Sequence, residues 1–314
     1  EISCSLVGSE MCIRDSDESE LKNVMNIIPQ DVVLITSPDS RIATAFIACN
    51  YYDNPSRKMQ VIGVTGTKGK TTTTFMIKSI LEKQGIKTGL IGTIAAYSGN
   101  KKLEDSDRTT PDSIKLQSLF AQMVKDGCTA CVMEVSSQSL KLHRVDGTDF
   151  NIGIFTNFSE DHISEKEHPD MEDYFNSKVK LFQMCKYGFI NVDDINTIRV
   201  PKLAPNCIFR TYGIDNESDL LAKDITITNS YVDFRAKVNG KNERIKTDIP
   251  GRFSVYNSLA AISVAEKLGC TTENIKSALE STRKKRTCRQ QTWLNYYDRL
   301  CSFTRKFRKH ITSC

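Results

Sequence analysis

The stretch Val61-Ile62-Gly63-Val64-Thr65-Gly66-Thr67-Lys68-Gly69-Lys70-Thr71-Thr72-Thr73-Thr74 decides how the rest of the chain is read. Val61, Ile62 and Val64 make a short apolar run, glycines follow at 63, 66 and 69, and a helix-like run starts at Phe75. Strand, glycine-rich loop and helix in that order is the setting in which a phosphate cradle forms. The glycines let the backbone fold closely enough to turn its N–H groups on an anion. The first helical turn adds unpaired N–H groups and about half a positive charge from the helix dipole. Lys70 suits neutralisation of β- and γ-phosphates, and the Thr71 hydroxyl suits a position on Mg²⁺. The spacing departs from the strict Walker pattern, which has glycine where this chain has Val64. Nucleotide-phosphate binding is the expectation, with an ordinary turn as the alternative.

A chain of 314 residues can hold two domains and a substantial core. A hydrophobic share of 39% and a charged share of 26% fit a globular protein. No apolar run approaches the ~20 residues of a membrane span and no secretory signal is legible, so a cytoplasmic protein without a membrane partner is expected. The net charge of +5 is concentrated toward the end of the chain rather than in a stripe, and no nucleic-acid partner is inferred from it. The 11 cysteines are scattered, without a pair-of-pairs arrangement for zinc. Cys128 and Cys131 lead into an apolar strand and read as buried thiols.

Residues 1–16 have neither a helical nor a strand period and resemble a translated adapter remnant, so they are set aside. From 17 to 58 a strand is expected at Val32–Thr36, a helix at Arg41–Tyr52 and a break at Asn54-Pro55-Ser56, as at the end of a domain whose beginning is missing. Beyond the loop, helices are expected at Thr74–Gln84, Asp112–Lys125, Met171–Cys185, Ser254–Leu268 and Thr272–Glu280. Strands are expected at Thr88–Ala95, Thr129–Val135, Asn151–Asn157 and Phe189–Val192. Near-continuous apolar strands alternating with helices predict an α/β fold, a mostly parallel sheet with helices on both faces. From Cys207 to Ile249 the period changes to two, which predicts a small antiparallel flank.

Glu134 ends a buried strand beside the phosphate loop, where the ligand crevice of such a sheet lies, and is a candidate Mg²⁺ ligand. Asp161 and His162 follow another strand end and on their own read as a solvated loop rather than a ligand pair. Lys178 reads on spacing alone as a surface lysine. Thr109 and Thr110, before Pro111, offer hydroxyls at a helix start, and composition favours an ordinary N-cap at Thr110 with Pro111 in the first turn.

Taken together, the motifs GVTGTKGKTTT, RTTPD, MEVSSQSLKLHRV, FTNFSEDH, MEDYFNSKVKLF, INVDD and IPGRFSVYN resemble the Mur ligase family, in unbroken order from about Val32 to Ser281. Within it they resemble the branch that adds the third residue to the muramyl peptide. The resemblance implies an ATP-dependent amide ligase of peptidoglycan precursor synthesis that works through an acyl phosphate. Its partners would be small molecules only (UDP-MurNAc-dipeptide, ATP, and diaminopimelate or lysine), and a monomer is expected. It implies that Gly66, Thr67, Lys68, Gly69, Lys70, Thr71, Thr72 and Asn257 bind ATP, and that Thr109, Thr110, Ser137 and Arg144 bind the muramyl peptide. It further implies that Thr71, Glu134, His162 and Lys178, the last as a CO₂ adduct, hold Mg²⁺, with Lys70, His162 and Lys178 catalytic. Folylpolyglutamate and cyanophycin synthetases are the alternatives within the superfamily, and a non-catalytic nucleotide-binding module is the alternative outside it.

The resemblance divides the chain into a remnant of a UDP-binding domain at 17–58, a central ATP-binding domain at 59–284, and a tail at 285–314 in place of a third domain. The tail is basic and aperiodic. Read in the next frame, Arg286-Thr287-Cys288 can encode Gly-Arg-Val and the run from Asp298 can encode a further family segment, so a frameshift near Lys285 is expected. A polypeptide of this form is expected to lack ligase turnover.

Overall fold

The computed structural model describes residues 3–5, 12–14, 37–161, 163–164 and 167–281. The expected strand at Val32–Thr36, His162 and the tail at 285–314 lie outside the described residues. Within residues 1–16, β1 (Ser3–Ser5) and β2 (Cys12–Arg14) pair with each other, apart from the main sheet.

The main sheet grows from β3 (Gln60–Thr65), whose residues after Gln60 are all buried. In chain order it adds β4 (Thr88–Ile91), β5 (Ala95–Ser98), β6 (Lys101–Asp105), β7 (Ala130–Glu134), β8 (Phe150–Phe155), β9 (Cys185–Asn191), β10 (Ile208–Gly213) and β11 (Leu220–Leu221). The nine strands lie in the order β11-β10-β9-β8-β3-β7-β4-β5-β6. Every pairing from β11 to β4 is parallel, and the β4–β5 and β5–β6 pairings are antiparallel. A separate antiparallel sheet joins β12 (Lys223–Ile227), β13 (Val232–Val238) and β14 (Lys241–Thr247).

The helices are α1 (Ser40–Tyr51), α2 (Lys70–Lys83), α3 (Ser113–Lys125), α4 (Ser137–Lys141), α5 (Met171–Gln183), α6 (Val200–Leu203), α7 (Arg252–Lys267) and α8 (Thr272–Glu280). Two cores cover the two faces of the sheet, as a parallel sheet requires. One gathers Ile77 and Ile80 of α2, Leu259 of α7, Ile275 of α8 and Phe234 of β13. The other gathers Phe120 of α3 with Phe175 and Phe182 of α5.

Four expectations are corrected. The helix after the phosphate loop begins at Lys70 rather than Thr74. Thr73 and Thr74 are fully buried within it, and packing outweighs the low helix propensity of threonine. The strand expected at Thr88–Ala95 stops at Ile91, and an unforeseen hairpin, β5–β6, turns at Gly99 with φ 55°. The stretch 208–213, expected in the antiparallel flank, instead extends the parallel sheet beside β9. Helix α3 begins at Ser113 with Asp112 as its cap, so Pro111 precedes the helix and Thr110 is not the cap. Cys128 and Cys131 are buried free thiols.

Phe182 is fully buried and stacks on Phe155 with ring centroids 6.0 Å apart. Phe182→Ala should cost about 3–5 kcal/mol of stability, seen as a lower urea midpoint at unchanged m-value.

Candidate active site

The phosphate loop is held by two glycines in the positive-φ region, Gly66 (138°) and Gly69 (88°). A Cβ on Gly66 would lie 2.0 Å from Thr156 Oγ1, and one on Gly69 would lie 2.6 Å from Asn257 Oδ1, so neither position accepts a side chain. Lys70 curls back over the loop, where its Nζ donates to the carbonyls of Gly66 (2.8 Å) and Thr67 (3.0 Å). Lys178, from the middle of α5, donates to the same Gly66 carbonyl at 3.2 Å and lies 4.3 Å over the Tyr174 ring. It is 1% exposed, which corrects the reading of a surface lysine. Burial pushes its amine well below the ordinary lysine value, the neighbouring Lys70 charge pushes it further, and Asp161 opposes both. Burial also lowers Lys70, against the pull of Glu134 and Asp161.

Glu134 ends β7 and is 1% exposed. Its carboxylate accepts from the Thr71 hydroxyl (2.9 Å), the Thr93 N–H (3.0 Å) and the Thr93 hydroxyl (3.2 Å). Burial raises its pKa, and these donors and Lys70 restrain the rise. Gly92 makes room for the acid, since a Cβ there would lie 2.3 Å from Oε1. Thr109 reaches the cluster through Thr93, hydroxyl to hydroxyl at 3.2 Å. Thr110 is fully buried and bridges loops: its hydroxyl donates to the Glu134 carbonyl (3.0 Å) and accepts from the Ser136 N–H (3.0 Å).

Ser137 opens α4 and meets a network that sequence reasoning missed. His168, fully buried, lies 2.9 Å from Ser137 Oγ through Nε2 and 2.6 Å from Asp173 Oδ2 through Nδ1. Lys141 donates to the same Asp173 oxygen at 2.8 Å. Arg144 points its Nη1 at the Thr110 carbonyl, 3.5 Å away. Asn257, on α7, accepts from the Thr73 hydroxyl at 3.3 Å. Its neighbour Tyr256 donates to Asp193 at 2.9 Å. Asp193 also accepts from the N–H groups of Ile214, Asp215 and Asn216, which ties α7 to the edge of the sheet. Lys68 is exposed and Thr72 partly buried.

Lys70, Thr71, Glu134 and Lys178 are thus brought together, with Thr109 and Thr110 alongside and Asn257 on the far side of Gly69. Thr93, Asn157, His168 and Tyr174 complete the surroundings. Asn157 and Tyr174 stand inside quoted motifs, whereas nothing marks Thr93 before the fold places it. Among the described residues no group of three or more His, Cys, Asp and Glu could hold a metal ion. A buried carboxylate beside a threonine hydroxyl nonetheless fits a hard divalent cation that takes its other ligands from water and phosphate.

A phosphate loop at the carboxyl edge of a parallel sheet, next to a buried acid and a buried lysine, defines a phosphate-loop α/β domain. The profile of the Mur ligase middle domain matches residues 64–265, and the chain belongs to the Mur ligase family. It is 46% identical over 274 residues to the UDP-N-acetylmuramoyl-L-alanyl-D-glutamate–2,6-diaminopimelate ligase of Clostridium botulinum, covering 87% of this chain and 55% of that protein. The ligase of the same name from Caldanaerobacter subterraneus subsp. tengcongensis is 44% identical over 273 residues, covering 87% and 54%. A solved structure of a ligase of that name superposes with a TM-score of 0.69 at 26% identity, over 80% of this chain and 53% of the other. The chain spans about half the length of the curated relatives it matches.

The burial of Lys178 carries a pH signature. In the folded chain its amine holds a proton less readily than in the unfolded chain, where the ordinary value of 10.5 applies. Between the two values the unfolded state binds more protons, so stability rises with pH. The penalty is complete below the folded value and gone above the unfolded one. The stability of the wild type relative to Lys178→Met should therefore climb as pH rises toward the ordinary lysine value of 10.5 in metal- and bicarbonate-free buffer, read from urea midpoints. Parallel curves would mean that folding leaves the lysine's proton affinity unchanged.

Proposed function

We propose that this chain carries the central nucleotide-binding domain of an ATP-dependent ligase that joins 2,6-diaminopimelate to UDP-N-acetylmuramoyl-L-alanyl-D-glutamate. The observation that carries the reading is the meeting of Lys70 and Lys178 on the Gly66 carbonyl, next to the Thr71–Glu134 pair. Phosphoryl transfer to a carboxylate brings two anions together, and fixed cations and dipoles around them lower its barrier. In this reading the γ-phosphate of ATP passes to the substrate carboxylate, giving ADP and an acyl phosphate. The amine of diaminopimelate then attacks the acyl carbon, and phosphate leaves. Diaminopimelate is preferred over lysine because it is the amino acid in the names of the most similar relatives.

Each residue has a part in this proposal. Lys70 holds the β- and γ-phosphates, the loop from Gly66 to Thr72 supplies N–H donors, and Asn257 contacts the base. Thr109, Ser137 and Arg144 contact the muramyl peptide, and Thr110, fully buried, holds the end of β7 in place beside them. Thr71, Glu134, His162 and Lys178 would hold Mg²⁺, which when bound supplies charge neutralisation for the transferring phosphoryl group. The lowered proton affinity of Lys178 supports its use as a neutral amine that adds CO₂ and releases a proton, turning a cation into an anionic ligand. Residues 59–284 are proposed as one central domain, preceded by the end of a UDP-binding domain.

Titration calorimetry tests the reading. MgATP should bind, and Lys70→Ala should weaken it at least about tenfold. UDP-MurNAc-L-Ala-D-Glu should raise the melting temperature and folates should not. Absence of ATP binding by the wild-type chain would overturn the proposal. Labelled ¹³C-bicarbonate should give a carbamate resonance that Lys178→Ala lacks, and an identical spectrum from that variant would remove the adduct from the proposal.

A further inference from the structure

Asn157, two residues beyond the end of β8, makes three hydrogen bonds to the phosphate loop. Its carbonyl accepts from the Thr67 N–H at 2.8 Å. Its side chain then grips one residue twice: Oδ1 accepts from the Lys68 N–H at 2.9 Å, and Nδ2 donates to the Lys68 carbonyl at 2.9 Å. The Thr156 hydroxyl donates to that same carbonyl at 2.7 Å. A carboxamide paired in this way fixes the peptide planes on both sides of the Lys68 Cα.

The consequence follows from the geometry of a trans peptide, in which C=O and N–H point in opposite directions. The Lys68 carbonyl and the Gly69 N–H belong to one such plane. With the oxygen drawn toward Asn157 and Thr156, the N–H turns away from β8, at the start of the helix whose first residue is Lys70. Gly69 has φ 88°, a region in which the plane has no side chain to steady it, so the setting comes from outside the loop. No other uncharged side chain of this length has both the acceptor and the donor in one rigid group. Aspartate lacks the donor, and serine is too short to reach both partners.

We propose that Asn157 is a positioning residue for nucleotide binding: its carboxamide sets the Lys68–Gly69 peptide so that the Gly69 N–H is aimed at the phosphates. The inference rests on the nucleotide-binding reading above and goes beyond it by assigning the loop's orientation to a side chain outside the loop.

The test compares the wild-type chain with Asn157→Asp and Asn157→Ala, titrated with ATP and with adenosine, which has no phosphate for the loop to hold. Asn157→Asp keeps the acceptor for the Lys68 N–H but puts an oxygen against the Lys68 carbonyl. Asn157→Ala removes both side-chain bonds. ATP affinity should fall at least about tenfold in both variants, while adenosine affinity stays within about twofold. Hydrogen exchange at the Lys68 amide should be faster in Asn157→Ala and stay slow in Asn157→Asp. ATP affinity within about twofold of wild type in Asn157→Asp overturns the inference, and so does an equal loss for ATP and adenosine. Should Asn157→Ala fail to fold, Asn157→Asp decides alone. A wild-type chain that binds no ATP overturns the functional reading and this inference with it, an outcome distinct from the others because it needs no variant.

Discussion

One backbone carbonyl, that of Gly66, accepts from the Nζ atoms of two lysines, and much of the site follows from that crowding. With both amines on one oxygen, burial and the charge on Lys70 together disfavour the protonated form of Lys178. Negative charge works the other way: Glu134 and Asp161 favour the charged form of Lys70, and Asp161 that of Lys178. Glu134 is buried in turn, and tolerates burial because two threonines donate to it. The group is therefore balanced as a set, and its members depend on one another for their charge states.

Sheet topology explains how residues distant in sequence come into that set. β4, β7, β3 and β8 are neighbours and run parallel, so the loops after them open on one edge. Thr93 follows β4, Glu134 ends β7, the phosphate loop follows β3, and Thr156 and Asn157 follow β8. Lys178 alone arrives from a helix interior. It reaches the edge because the aromatic side chains of α5 press that helix onto the sheet beneath the loop.

Much of this was legible in the sequence, and the failures have physical causes. The apolar runs of β3, β7 and β8 announce a doubly covered sheet, and the glycines before Lys70 announce a loop pressed against other chain. Local propensity misplaced the start of α2, because Thr73 and Thr74 are buried by the packed fold and Thr73 also bonds Asn257 of α7. The β5–β6 hairpin escaped notice because its outer strand is largely exposed and has no hydrophobic period. Thr110 looked like a cap because a threonine before proline often is one. Its fully buried hydroxyl instead ties the loop before α3 to the end of β7, which only the packed structure reveals. Lys178 illustrates the same limit: no pattern in MEDYFNSKVKLF separates a buried lysine from an exposed one. Family resemblance singled it out where spacing could not.

The crowding at Gly66 also bears on how such a site can change over generations. Thr156 fills the space a side chain would need there, and Asn257 does the same at Gly69. A side chain at either glycine would require its neighbour to move or shrink, so these two positions are closed to single substitutions. Thr156, Asn157 and Asn257, which wall the loop in, are bonded to it or fill the space beside it, so wall and loop constrain each other. An inherited change in one would persist only with a matching change in the other.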